Sequence, residues 1–593
     1  MNELLSIPPA LIVLALLGLS VVLPRKAAYP LSILGLAAVA AWALVVPDGT
    51  GPTYQFLGFE LLIVDVDQFT RLMVAIFGAF GALAVAFAFF ADMGKRHLFW
   101  GLSYVGASLW TVTVGDWLGL VVGWEVMAIA STIFVWLSGG TSIRTGYRYA
   151  LAHAIGGSLL MAGIVAHLIA LGASVPVTDP TILHFGDGVS EGLAAVLAGV
   201  GIGVNAAIIG FHAWLPDTYS APTAATSVFL CCYTTKTAVY AFYRAFPNGN
   251  IVLAYMGGAM AIYGAAYALA QKDMRRLLSY HIQAQVGFML VGIGIGSTLG
   301  IAGGFAHLFN HILYKGLLFV SAGLIILQLG VNRLDDFGAL GRSAPITLGA
   351  FLIGALSITG VPGFNGFVSK AMLTDAVSAE GSTPLMIMLW MGSIGTFASF
   401  AKFGYYAFLY GEPIDGDDAN LGHGGVVAAL AGGCILFGVY YVALLQLLPF
   451  GGEVTVDPYY LAKMLEVAAL ATAGIVLFVV SKPLLDRLHG GIDVNKAHDP
   501  LAFYGTRAMS GGLGGLFGAV DRLVVRCAEG ARTGVYEPSR LISGALPDTL
   551  VDRYEQLVER TPGKTGFKLN IGLTLSVAGT ILGAILAVIL FIL

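Results

Sequence analysis

The sequence predicts an all-α polytopic membrane protein, and three observations predict it. Of 593 residues, 57% are hydrophobic and only 11% charged, whereas a soluble domain carries about a quarter charged residues. A soluble chain of this length would divide into roughly four domains, each with a polar surface, and the charge to cover them is missing. The apolar residues fall in runs of about 20, the length of a bilayer-crossing helix, without the alternation of a barrel strand. Seventy-nine glycines suit the close packing of membrane helices. The same composition excludes a disordered chain and a coiled coil. A net charge of -4 offers no basic footprint for nucleic acid.

The apolar runs place about sixteen transmembrane helices: 7–24, 29–47, 69–91, 97–114, 116–138, 147–172, 192–215 with a broken continuation, 223–246, 251–271, 276–296, 299–329, 344–378 as a broken span, 385–410, 424–448, 461–481 and 570–593. Met1 to Leu23 lacks a basic leading region and a cleavage site, so it reads as the first span rather than a signal peptide. Arg25 and Lys26, Lys95 and Arg96, Arg144 and Arg148, Lys272, Arg275 and Arg276, Arg333 and Arg342, and Lys482, Arg487 and Lys496 all follow odd-numbered spans. The opposite loops 48–68, 173–191, 379–384 and 449–460 hold no Lys or Arg. The positive-inside rule then puts the basic loops in the cytoplasm and the N-terminus outside.

Residues 490–569 are too polar to span. Val520, Leu523, Val524 and Cys527 share a helical face opposite Asp521, Arg522, Arg526 and Glu529, which suggests an amphipathic segment lying along the interface before the last span. Gly511 to Gly518 and Pro547 would break it into pieces. Cys231 and Cys232 are adjacent, Cys434 and Cys527 stand apart, and no CxxC or Cys/His metal spacing occurs. No metal, cofactor or redox centre of the chain's own is expected.

An ionisable group at membrane depth is costly and so marks function by default. Glu125, Lys236, Lys370 and Lys402 lie inside expected spans, as does His153. His307, His311 and Lys315 are spaced i, i+4, i+8, which puts them on one helical face. Lys402 also fits a lysine snorkelling to the headgroups, and His153, His167 and His281 also fit helix-packing hydrogen bonders. None of the buried cations has an opposite charge beside it in sequence, so partners must come from other helices. A desolvated lysine near a movable carboxylate can hold or release a proton, and imidazoles between lysines bridge the gaps. This composition suits a proton relay along the membrane plane.

The segment Lys236-Thr-Ala-Val-Tyr-Ala-Phe-Tyr is similar to Lys402-Phe-Gly-Tyr-Tyr-Ala-Phe-Leu. Lys370 lies 32 residues before Lys402, and Asn205 lies 31 before Lys236. Residues 153–160 align loosely with 311–318. Five spans separate the related pairs, and an odd offset means opposite orientation. That is an inverted repeat of the transporter kind, with helix breaks near the midplane. Trp214-Leu-Pro-Asp217 with Pro222, and Gly360-Val-Pro-Gly363, supply the breaks.

Trp124-Glu125, His212-Ala-Trp-Leu-Pro-Asp217, Ala221-Pro-Thr223, Lys236 with Tyr240 and Arg244, Asp273-Met-Arg-Arg-Leu-Leu-Ser-Tyr280, Gln285-Val-Gly287, His307-x3-His311-x3-Lys315 and Pro362-Gly-Phe-x-Gly-Phe-Val-Ser-Lys370 run in order from about 115 to 375. Together they resemble the antiporter-like subunits shared by Mrp-type multisubunit Na+/H+ antiporters, respiratory complex I and membrane-bound hydrogenases. The resemblance implies fourteen core helices, with spans 4–8 (97–246) and 9–13 (251–410) as inverted repeats and helices 7 and 12 broken. Spans 1–3 (1–96) precede them, and helices 14–15 (424–481), the lateral segment (490–569) and the last span (570–593) follow.

By position, Glu125 resembles the family's helix-5 glutamate, Lys236 its helix-8 lysine, Lys315 with its histidines the central connection, and Lys370 its helix-12 lysine. Asn205 departs from the pattern, since the family usually has a helix-7 lysine there and an amide cannot carry a proton as charge. Either Lys236 pairs with Glu125 instead, or the first half no longer conducts alone. The tail is similar to the largest antiporter-like subunit of complex I, whereas the core, notably Phe229-Leu-Cys-Cys-Tyr-Thr-Thr-Lys236, is more similar to the D-type subunits of bacterial Mrp antiporters.

The resemblance implies a proton-translocating subunit of a multisubunit Na+/proton antiporter in a bacterial or archaeal plasma membrane. Its partners would be other membrane subunits, protons and Na+. A proton-pumping subunit of a redox-driven complex and a coupling subunit of an energy-driven CO2-uptake complex are the alternatives, and any redox chemistry would belong to other subunits.

Overall fold

The computed structural model describes residues 7–487, apart from 173–178, 337–338, 341–342, 413–417, 451–453 and 455, together with scattered helical positions between 504 and 526. They fall in two units divided near residue 492. In the second unit, residues 518–526 are helical and Val520, Leu523 and Val524 are exposed. The remainder of the expected lateral segment, including Cys527 and Glu529, and the expected span 570–593 lie outside the described residues.

The first unit is a helical bundle. Its N-terminal part comprises α1 (Pro9–Val22), α2 (Arg25–Val45), α3 (Gln68–Phe90), α4 (Lys95–Thr113), α5 (Trp117–Trp136) and α6 (Thr141–Leu171). Then come α7 (Leu193–Asn205), α8 (Trp214–Ser220), α9 (Ala224–Leu230), α10 (Thr234–Ala245), α11 (Ile251–Ala270), α12 (Met274–Ile295) and α13 (Thr298–Leu329). The last part holds α14 (Pro345–Thr359), α15 (Asn365–Ala379), α16 (Thr383–Gly404), α17 (Leu421–Val439), α18 (Tyr441–Leu447) and α19 (Leu461–Arg487). Ten described helices are long and apolar enough to cross a membrane. Pro9–Val22, Leu193–Asn205 and Pro345–Thr359 are apolar but shorter, so sixteen full crossings are not found among the described residues.

The structure corrects several expected boundaries. α6 begins at Thr141 rather than 147 and takes in Arg144 and Arg148, and α19 runs on to Arg487. Helix turns that leave the apolar layer carry no hydropathy signal. The loop 48–68 holds two antiparallel ribbons, β1 (Gly49–Thr50) with β4 (Asp65–Val66) and β2 (Thr53–Phe56) with β3 (Phe59–Leu62). They cover the start of α5, where Asp116 accepts hydrogen bonds from the Gly119 and Leu62 N–H groups at 2.7 and 2.8 Å. The expected span 223–246 is not one helix: it stops after Leu230 and restarts at Thr234. At that break the Thr234 N–H donates to the Tyr104 hydroxyl of α4 at 2.9 Å, a partner 130 residues away that leaves no local trace in sequence.

α13 is the centre of the bundle, packed against α3, α9, α12, α14, α15 and α17, and it is buried continuously from Gly300 to Ile325. Beside it α11 and α12 approach until a Cβ on Gly257 or Gly287 would lie about 2.5 Å from the other's carbonyl oxygen. Only small residues permit such contact.

Candidate functional site

The i, i+4, i+8 spacing of α13 places His307, His311 and Lys315 along one face, all fully buried. The His307 ring is held from both sides. Its Nε2 lies 2.9 Å from Gln285 Oε1 on α12, and its Nδ1 lies 2.9 Å from the Ser369 hydroxyl on α15. Gln285 Oε1 only accepts, so Nε2 carries a proton. The hydroxyl can donate to a neutral ring or accept from an imidazolium. The site therefore satisfies both charge states of His307, as a proton carrier requires.

Ser369 precedes Lys370. The Lys370 ammonium donates to the Thr359 carbonyl at 3.3 Å and lies 4.9 Å over the Phe288 ring, a cation–π contact. That carbonyl ends α14, where the chain turns at Gly360 with φ +86°. A Cβ at Gly360 would meet Lys370 Cδ at 3.0 Å, so the turn and the lysine both require glycine there.

Lys236 repeats this arrangement. It is fully buried, and its ammonium donates to the Cys231 carbonyl at 2.7 Å and the Thr235 hydroxyl at 3.1 Å. The Cys231 carbonyl is freed by the break between α9 and α10. Each lysine thus rests on a backbone oxygen released where a helix stops. The expected carboxylate partners are not seen: among the described residues, Lys236, Lys315 and Lys370 form no ion pair with Asp or Glu. Polar backbone freed at membrane depth must be covered by protein or a cavity, and here the ammonium groups cover it.

Between the two lysines lie groups whose nitrogens have no hydrogen-bond partner among the described residues: His281, His311 and Lys315 Nζ. His311 is within electrostatic reach of Lys236, Lys315, His281 and His307. His281 reaches Lys315 and Lys370, and His307 reaches Lys370. Lys236, His311, Lys315, His281, His307 and Lys370 form one buried group. His281, read from sequence only as a packing histidine, belongs to it.

The remaining expected residues stand apart. Glu125 is half-buried on α5, its Oε1 resting over Gly157 of α6, and no ion pair links it to Lys236. His153 packs tilted against Tyr149 and edge-on to Trp214, its Nδ1 2.9 Å from the Tyr149 carbonyl. Lys402 donates to the Leu269 and Gln271 carbonyls and caps the C-terminal end of α11. Asn205 is fully buried, and neither its amide oxygen nor its nitrogen has a partner among the described residues.

Sequence reasoning missed two features. One is a chain of hydroxyls in which Tyr149 lies 2.8 Å from Ser131 and 3.2 Å from Thr234, which in turn lies 2.6 Å from Tyr104. These are polar residues inside apolar runs, and that was the only available signal. The other is the clamp at Asp217 of α8, which pairs with Arg148 of α6 at 2.9 Å and with Arg276 of α12. It ties the segment before Lys236 to the one after it. The motif Asp217 and the basic loop residues were visible, but their pairing was not.

Residues 114–397 match the family described as NADH:quinone oxidoreductase/Mrp antiporter, transmembrane. The NADH-quinone oxidoreductase subunit N of Desulforudis audaxviator is 30% identical over 380 residues, covering 61% of this chain and 75% of that protein. The D-type Na(+)/H(+) antiporter subunit of Alkalihalophilus pseudofirmus is 30% identical over 404 residues, covering 64% and 81%. A chain of the Mrp complex from a Dietzia species shares the fold with a TM-score of 0.68, at 21% identity over 81% of this chain and 99% of that one. The buried group from Lys236 to Lys370 lies within the matched segment.

Proposed function

Because the chain belongs to the transmembrane family shared by NADH:quinone oxidoreductases and Mrp antiporters, and is an integral membrane protein, we propose that it translocates protons within a multisubunit monovalent cation/proton antiporter. The exchanged cation is Na+, and the partners are the other membrane subunits of the assembly. Protons move between Lys236 and Lys370 through Lys315, His311, His281 and His307. Glu125 stands at the far side of the first half, and His153 and Lys402 hold helices in place. The two halves, 97–246 and 251–410, are inverted repeats within fourteen core helices. The N-terminus faces outside.

One observation carries this reading. His307 is bonded on both nitrogens, and one partner is the hydroxyl of Ser369, the residue before Lys370. Because that hydroxyl can donate or accept, the bond survives when the ring gains or loses a proton.

The test is proton and Na+ movement in membrane vesicles containing the assembled complex. Lys370→Ala and Lys236→Ala should each lower cation-driven pH changes. Unchanged exchange in both variants would sink the proposal. A redox-driven complex is the second reading, favoured by equal identity to a subunit of an NADH-quinone oxidoreductase. Vesicles that acidify with an electron donor but without a Na+ gradient would decide for it.

A further inference from the structure

Lys370 also borders a cavity of about 20 Å3, lined by Thr359, Phe367, Thr374 and Trp390, and by Lys463 and Glu466 of α19. That volume suffices for one water molecule. Past it stands a cluster of charges that the relay does not use. Lys463 Nζ lies 3.0 Å from Asp375 Oδ1 and 2.9 Å from Glu466 Oε2, and donates to Thr374 Oγ1 at 2.9 Å. Thr374 donates in turn to the Lys370 carbonyl at 3.0 Å. Tyr460 donates to Asp375 at 3.1 Å, and Trp390 to Glu466 at 2.7 Å.

Exposure is graded along the cluster. The Asp375 and Glu466 side chains are 26% and 24% exposed, against 7% for Lys463 and 8% for Lys370. Two carboxylates face one ammonium, so one negative charge is left over at the more exposed end. Lys463 and Glu466 lie on α19, outside the segment 114–397 that matches the family.

We propose that Asp375, Lys463 and Glu466 form a port through which Lys370 exchanges protons with the aqueous phase on the side of the 379–384 loop. The port rests on the relay proposed above. In release, the Lys370 ammonium gives one proton to water in the cavity. That water passes one of its own protons to the carboxylate of Glu466 or Asp375, leaving a neutral amine and a carboxylic acid, and the acid then releases its proton to the aqueous phase. Uptake runs the same steps in reverse, with no electron moved. Lys463 is a positioning residue: it holds both carboxylates together and keeps the passage narrow. An anchor that only pinned α19 to α15 would need no cavity shared with Lys370.

The test uses the assembled complex in vesicles. Asp375→Asn with Glu466→Gln should slow proton flux about tenfold, while Lys370→Ala lowers it about 100-fold. Wild-type flux in the double variant beside an impaired Lys370→Ala overturns the port and leaves the relay standing. Wild-type flux in Lys370→Ala overturns the relay, and the port with it. A second readout is independent of transport. In a background with the four native cysteines replaced by alanine, Lys370→Cys should react with a membrane-impermeant thiosulfonate from the 379–384 side only. Adding Lys463→Ala should speed that reaction about tenfold. Labelling from the other side, or a rate that Lys463→Ala leaves unchanged, overturns the port.

Discussion

The half of the bundle around Lys370 and the half around Lys236 hold their lysines alike, each on a carbonyl released by a helix break. They differ in what lies next. Beside Lys370 stands His307, bonded through both nitrogens, and Lys370 shares a cavity with Lys463 and Glu466. Beside Lys236 stands a chain of hydroxyls, while Asn205 has no partner among the described residues and Glu125 rests over Gly157. A lysine on a freed carbonyl is therefore a common device, and the neighbours decide whether a proton can leave it. On the proposed function, the second half holds more groups able to carry a proton, and the first half has an amide at Asn205 where the family pattern has a lysine.

The comparison breaks most readily at the lysines. Lys370→Ala should lower proton flux about 100-fold, in the range a positioned acid–base group contributes, and Lys236→Ala only about tenfold. Equal losses, measured by the quench of a pH-sensitive dye in vesicles, would show that the halves are equivalent. The Asp217 clamp joins the halves from a nearly buried position, its arginines about a quarter to a third exposed. Asp217→Asn should cost about 2 kcal/mol of stability, because it removes the negative charge that both arginines contact. The check is the thermal unfolding midpoint in detergent, where no shift would remove the clamp from the argument.

A matched pair of amide substitutions sharpens the contrast. Gln285→Leu strips the nearer acceptor from a buried N–H of His307, leaving only the Tyr314 hydroxyl at 3.3 Å, and should slow flux about tenfold, since a weakened buried donor costs on the order of 1 kcal/mol. Asn205→Leu removes an amide with no partner among the described residues, so flux should hold and the unfolding midpoint should hold or rise. A fall in flux with Asn205→Leu would put that amide in the relay.

The smallest effect belongs to the loop after α13. Burial alone would raise the Asp335 carboxyl, but the Lys272 and Arg333 cations beside it hold it below its ordinary value. A carboxyl depressed on folding stabilises fully above its unfolded value of about 4, and that contribution fades as pH falls through the lower folded value. Asp335 is over a third exposed, so Asp335→Asn should cost only a few tenths of a kcal/mol near neutral pH. The difference from wild type should shrink as pH falls below about 4. A difference that grows on acidification contradicts the sign.

Much of this was legible from residues alone. The runs of apolar residues located the long helices, such as α3, α5, α11 and α13, because bilayer length and hydropathy are local properties. Trouble came where that signal stops. The polar first turns of α6 and the ribbons at 49–66 carry no hydropathy run. The break before Lys236 depends on the Tyr104 hydroxyl from α4. Among the site residues, Lys236, Lys370 and the α13 set stood out as charges or imidazoles in apolar surroundings. Lys463 did not, because a lysine near the start of a span looks like a snorkelling end. Its partner Asp375 lies 88 residues earlier.

By itself the sequence determined that this chain enters a membrane, roughly where it crosses, and that His307, His311 and Lys315 share a face. Composition sets partitioning into lipid, and the 3.6-residue turn sets which side chains align. Only the tertiary structure decided what each buried ammonium rests on, that His281 joins the group, and that α19 brings a third set of charges to Lys370. Those outcomes depend on which helices stop and which pack together. Such contacts join residues tens to hundreds of positions apart, and no local pattern records them.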